Sequence, residues 1–113
     1  MITATLDRMT HSAHLFPEIR KDEVRKGDWV IMRTMKSVYT LHSLGDGLYE
    51  VCGGWFDKKG VGPMRIGVAG ATWGGSVIMP QVLAACGMCV EFRNRLITSP
   101  VKKIVIVPKW MGN

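Results

Sequence analysis

Apolar and polar positions alternate along most of this chain with a period of two, the repeat of a half-buried strand. The first strand, residues 29–34, is read from composition instead: Trp29, Val30, Ile31 and Met32 are residues that strands favour. Residues 37–43 follow, with Tyr39 and Leu41 on one face and Val38, Thr40 and His42 on the other. The connection between the two is Met35-Lys36, which lacks the usual Asn-Gly or Asp-Gly hairpin chemistry. The next connection has it, in Gly45-Asp46-Gly47, and leads to a third strand over residues 48–52 that Gly53-Gly54 closes. Residues 55–63 read as a loop with Asp57, Lys58, Lys59 and Gly60 at its tip. In residues 64–70, Met64, Ile66 and Val68 alternate with Arg65, Gly67 and Ala69. Small residues on one face signal a close neighbour or a bend.

The stretch Gly70-Ala71-Thr72-Trp73-Gly74-Gly75-Ser76 reads as a strand end and a glycine-permitted corner where the sheet folds over itself. A short strand over 76–79 runs up to Pro80. Residues 80–86 predict the one short helix, with Pro80 at its first position and Gly87 just past its end. Met88, Val90 and Phe92 then face inward from a strand whose Glu91 and Arg93 face outward. Asn94 turns it into residues 95–98. Ser99-Pro100 interrupts, because proline cannot donate to a central ladder. The last strand covers 101–107 and stops at Pro108. The pattern predicts an all-β fold: a small antiparallel barrel or two-sheet sandwich of seven or eight short strands, with one short helix near 80–86. Residues 1–14 lack a sustained period and predict a flexible arm or edge segment, leaving 15–113 as a single β domain.

Several segments combine into a recognisable order: Thr34-x-x-Ser37-x-Tyr39, Gly53-Gly54, Gly70-x-Thr72-x-Gly74-Gly75-Ser76, Gly87-Met88-x-x-Glu91-Phe92, and Ile97-Thr98-Ser99-Pro100-Val101-x-x-Ile104. The order resembles a family of small uncharacterised bacterial proteins, of the kind encoded in integron gene cassettes. The resemblance spans roughly residues 27–104 and implies no activity, substrate or cofactor. The family has Asn where this chain has Lys36, and an apolar residue where it has Cys89. The resemblance therefore implies a less ideal hairpin turn here, and that Cys89 is not a family ligand.

Composition narrows the classes. The chain has 113 residues, 47% of them hydrophobic, enough for one core without staples. No apolar run approaches the roughly 20 residues of a membrane-spanning helix. Asp7 stands where a signal peptide wants its apolar segment. Three cysteines with no export signal predict reduced thiols in a cytoplasmic protein. Fifteen basic against nine acidic residues give a net charge of +6. That charge is scattered, which favours a solvated basic surface over a dedicated one.

The chemistry-bearing residues are few. Cys86 and Cys89 have CxxC spacing, but a zinc site wants four ligands and no second pair accompanies them. His11, His14 and His42 offer no recognisable nucleophile partner, and Gly74-Gly75-Ser76 is not a nucleophile elbow. No paired carboxylates suit acid–base work. The expectation is no catalytic residue, no metal and no cofactor. Gly74, Gly75, Ser76, Thr98 and Ser99 are candidates for binding a ligand or anion through N–H and hydroxyl groups. Arg33, Lys36, Arg65, Trp73, Lys102 and Lys103 are candidates for nucleic-acid contact, with tryptophan as a stacking platform. The leading expectation is a non-enzymatic binding or interaction module that self-associates into a homo-oligomer. The alternatives are a basic nucleic-acid-binding β-barrel and an anion or small-molecule pocket.

Overall fold

A computed structural model describes residues 17–74 and 76–111. The expected arm over 1–14, with His11 and His14, and the candidate Gly75 lie outside the described residues. The strands are β1 (Glu18–Arg20), β2 (Trp29–Thr34), β3 (Val38–Gly45), β4 (Leu48–Gly53), β5 (Met64–Trp73), β6 (Val77–Met79), β7 (Val82–Ala85), β8 (Cys89–Phe92) and β9 (Val101–Val107). One short helix, α1, spans Gly54–Lys58. Seven strands form an antiparallel sheet in the order β6-β5-β4-β3-β2-β9, with β8 on β5. The remaining two, β1 and β7, pair with each other. The fold is the expected all-β one, a curled half-barrel with a second small sheet.

Backbone bonds draw the two ends of the curled sheet together. Gly87 N–H donates to Val101 O and Val101 N–H to Met88 O, both at 2.9 Å. The start of β8 thereby meets the start of β9. Thr98 completes the junction. Its N–H donates to Val90 O at 2.9 Å, and its Oγ1 accepts from Val90 N–H at 3.0 Å. A hydroxyl thus takes the place of a strand carbonyl as the acceptor for Val90 N–H. Expected strand 95–98 is reduced to the single bridge Glu91↔Ile97.

The T-x-x-S-x-Y and Gly-Gly segments are parts of one device. Thr34 Oγ1 accepts from Lys36 N–H at 3.2 Å and Ser37 N–H at 3.0 Å, while Thr34 N–H donates to Ser37 O at 2.8 Å. These bonds hold the β2–β3 turn in place of Asn-Gly chemistry. Tyr39 points inward from β3 onto Gly54, where any Cβ would collide with its ring. A Cβ at Gly53 would strike the Val38 carbonyl oxygen. Tyr39 Oη accepts from Trp55 N–H at 3.4 Å. Its ring lies 6.2 Å from Phe56 and 6.0 Å from Phe92, and Phe56 meets Phe92 edge-on at 5.2 Å. Phe56, Phe92, Leu41 and Ile104 are fully buried in the main core. Ile31, Val105 and Val107, with Trp29 and Val38, make a smaller cluster of their own.

The helix is not where periodicity places it. Residues 82–85 are a strand, and all four are buried. Val82, Ala84 and Ala85 pair with Arg20, Ile19 and Glu18. A partner more than sixty residues away overrides a local Pro-to-Gly signal. The observed helix lies in the segment that reads as a loop. Asp57 Oδ1 accepts the Gly53 N–H at 2.9 Å at its start, and Val61 N–H returns to Phe56 O at its end.

The bend in β5 comes at a bulge. The register against β8 shifts between Val68 and Gly70, leaving Ala69 unpaired. Lys21 Nζ donates to Val68 O at 2.6 Å and Ala69 O at 3.2 Å, tying the bulge to the turn after β1. Burial, then the nearby Arg93, pushes the Lys21 ammonium below its usual range. Gly70 has φ +152°, and a Cβ there would strike the Met79 carbonyl oxygen. The strand continues past Gly70 to Trp73 and turns back at Gly74 into β6, so the expected corner stretch holds two features: a close approach at Gly70 and a hairpin turn at Gly74. Gly74, at φ +64°, has nothing within 4 Å of its Cβ position. Gly54→Ala and Gly70→Ala should each cost about 3 kcal/mol or more, as overpacking with backbone strain does. Gly74→Ala should cost about 1–2 kcal/mol, from conformation alone. Urea unfolding of the three variants measures this, and equal losses at all three would contradict the assignment.

Candidate interaction surface

From Ile66 to Val90 the chain carries no Asp, Glu, Lys or Arg, in a sequence that is 21% charged. Half of this segment is buried in β5, β7 and β8. The end of β5 at Trp73 and the strand β6 stand on the surface. Trp73 is 61% exposed, Val77 60%, Met79 41% and Ile78 38%. The hairpin pairs Trp73 with Val77, Thr72 with Ile78 and Ala71 with Met79. Ser76 Oγ closes the turn by donating to Trp73 O at 3.2 Å. Ala71 also pairs with Val90, so β6 and β8 flank β5. Among the described strands β6 pairs only with β5. Its other edge adjoins a groove of about 340 Å³ lined by Ile78, Met79, Pro80, Gln81, Val82 and Arg20. Arg20 is held there by Gln81 Oε1 at 3.0 Å and by Asp22 at 3.7 Å. An uncharged edge strand, an exposed indole and a neighbouring apolar groove thus share one surface.

The structure does not unite the anion candidates. Gly74 and Ser76 sit at the hairpin tip. Thr98 is 5% exposed, and its hydroxyl is engaged twice, accepting from Val90 N–H and donating to Ser99 O at 2.8 Å. Thr98 is a closure residue of the sheet. Ser99 lies apart from the tip, against the β2–β3 turn, where its Oγ accepts from Lys36 N–H at 3.3 Å.

The basic candidates divide as well. Arg33 and Lys103 are cross-strand partners on β2 and β9, with Lys36 in the following turn. Lys102 is exposed beside them, at the register shift between β9 and β2. Arg65, on the far side of the sheet, pairs with Glu50 at 3.8 Å, and Trp73 belongs to the hairpin. Four of the six therefore gather at one end of β2 and β9, while the stacking platform is elsewhere. Trp29 stacks on His42 at 4.2 Å. The strand expected over 76–79 is present as β6, and its exposure is what periodicity did not signal. Its signal in the sequence is the absence of charge over residues 66–90.

The cysteines have distinct surroundings. Cys52 is half-buried on β4. Burial, then the charges of Asp57 and Glu50, raise its thiol above the ordinary range against a hydrogen bond from Thr40. Cys86 is exposed, with Sγ 3.6 Å from Lys102 O, and Cys89 is half-buried. Among the described residues no three His, Cys, Asp or Glu side chains are placed to hold a metal ion. No helix among them is long and apolar enough to cross a membrane. Since the thiolate is the reactive species, iodoacetamide should alkylate Cys86 first and Cys52 at least about tenfold more slowly at neutral pH. Mass spectrometry of timed samples checks this; equal rates would show that Cys52 is neither shielded nor raised.

The chain matches no protein-family model, no curated protein and no solved structure.

Proposed function

We propose that this chain is a non-enzymatic interaction module that assembles with a second copy of itself through the β5–β6 hairpin. The observation that supports the reading is an exposed edge strand, Val77–Met79, within an uncharged segment of a chain of net charge +6. Two copies of a basic protein repel each other, and they approach at least cost where neither carries charge. Natural proteins shield exposed edges with charges, covering elements or partners. This edge has no charge on it. An antiparallel pairing of β6 with the second copy's β6 satisfies both edges about a two-fold axis, the commonest symmetry of homo-oligomers. In that arrangement Trp73 of each copy serves as an aromatic anchor, with the groove beside Arg20 as its receptor.

A three-residue edge and one anchor place the interface at the small end of specific contacts, and imply a micromolar dissociation constant. Size-exclusion chromatography with light scattering, run across a dilution series, should give twice the 12.6 kDa chain mass at high concentration. Ile78→Lys and Trp73→Ser should each return the protein to a monomer with its circular dichroism intact, because both side chains are exposed. A wild-type monomer at several hundred micromolar would overturn the reading, as would a dimer indifferent to both substitutions.

A further inference from the structure

A second groove lies at the basic end of the sheet. It has a volume of about 480 Å³ and runs between the β2–β3 turn, α1 and the segment after β8. Lys36, from the β2–β3 turn, and Lys58, from the end of α1, both line it, as do the hydroxyl-bearing Ser37 and Ser99. Trp55 and Ile97 supply apolar wall. No carboxylate lines it. The nearest acid along the chain, Asp57, is turned to the Gly53 N–H. Arg33 and Lys103, paired across β2 and β9, add positive charge at the same end.

We propose that this groove binds a small organic anion: a phosphate or carboxylate group between Lys36 and Lys58, and a flat apolar ring against Trp55. The architecture holds the groove in a fixed shape. The Trp55 ring sits edge-on to the buried Phe56 at 5.3 Å, and the Trp55 backbone N–H donates to Tyr39 Oη. Lys36 is carried on a turn fixed by Thr34 and Ser99. Ser99 Oγ accepts from the turn and leaves its O–H as a donor. Two cations with hydroxyl donors suit an oxyanion, and an indole wall suits a ring. The volume falls in the range of a single small-molecule site. A nucleic-acid strand needs a longer basic track with successive stacking platforms, which this groove does not supply.

Phenyl phosphate, methyl phosphate and phenol, titrated into the ¹⁵N-labelled full chain, separate the two halves of the site. Phenyl phosphate should shift the Trp55 indole N–H and the Ser37 and Ser99 amides saturably. Methyl phosphate, without the ring, and phenol, without the charge, should each bind about tenfold more weakly. Lys36→Ala/Lys58→Ala should weaken phenyl phosphate by about tenfold or more at unchanged melting temperature, since both lysines are exposed. Ile78→Lys should leave the affinity unchanged, which keeps this site separate from the self-association surface. Absent or unsaturable shifts at the groove, phenol equal to phenyl phosphate, or an unaffected double variant would each overturn the proposal.

Discussion

The contact on which the rest of the structure depends is Tyr39 against Gly54. An aromatic ring laid on a bare backbone lets β3, the end of β4 and α1 come closer than any side chain at Gly54 allows. From that ring the packing spreads to Phe56 and Phe92, and so to β8 across the barrel. The same ring's hydroxyl accepts from Trp55 N–H at the start of the helix. A five-residue helix has too few internal bonds to stand alone. It exists because Phe56 is buried in the core and Asp57 holds the Gly53 N–H.

Closure of the sheet follows a related logic. Near the crossing a threonine bonds Val90 twice, its N–H donating to the Val90 carbonyl and its hydroxyl accepting the Val90 N–H, and Pro100 offers only its carbonyl, to Met35 N–H. Thr98 and Pro100 are therefore read together, as one junction between β8 and β9. The short motif segments of the sequence are mostly such joints: a turn stapled by Thr34, a seat for Tyr39, a close approach at Gly70, a junction at Thr98. Their residue types answer to backbone geometry, which explains why they pointed to no reaction.

Much of the fold was legible because strand-length runs rich in β-branched and aromatic residues are bounded by turn signals. Trp29 to Thr34 and Val101 to Val107 stand where their patterns put them, and Met88, Val90 and Phe92 face inward as their spacing requires. The helix was misplaced for a physical reason. Pro80 to Gly87 carries local helix punctuation, yet a short apolar run is decided by its partner, and β1 comes from the opposite end of the described chain. Trp55 to Lys58 carries no period long enough to read. Of the candidate site residues, Trp73 and Lys36 do line exposed surfaces. Thr98 is taken up by its own backbone, and Gly74 and Ser76 form a hairpin tip far from Ser99. Sequence separation conceals which hydroxyls face a groove and which are already bonded.

By itself the sequence determined the β-class of the fold, the inward faces of its main strands, the basic balance of its charge and the length of chain left without any. Those properties depend on residue type and near-neighbour spacing, which are local. Only the tertiary structure decided that β7 is a strand, that Gly70 and not Gly74 makes the close backbone approach, and that the uncharged segment is divided between the core and an open edge. It also decided that Lys36, Lys58 and Trp55 face one groove. Each of these rests on a contact between residues distant along the chain, and such contacts are set by closure of the whole sheet rather than by any segment within it.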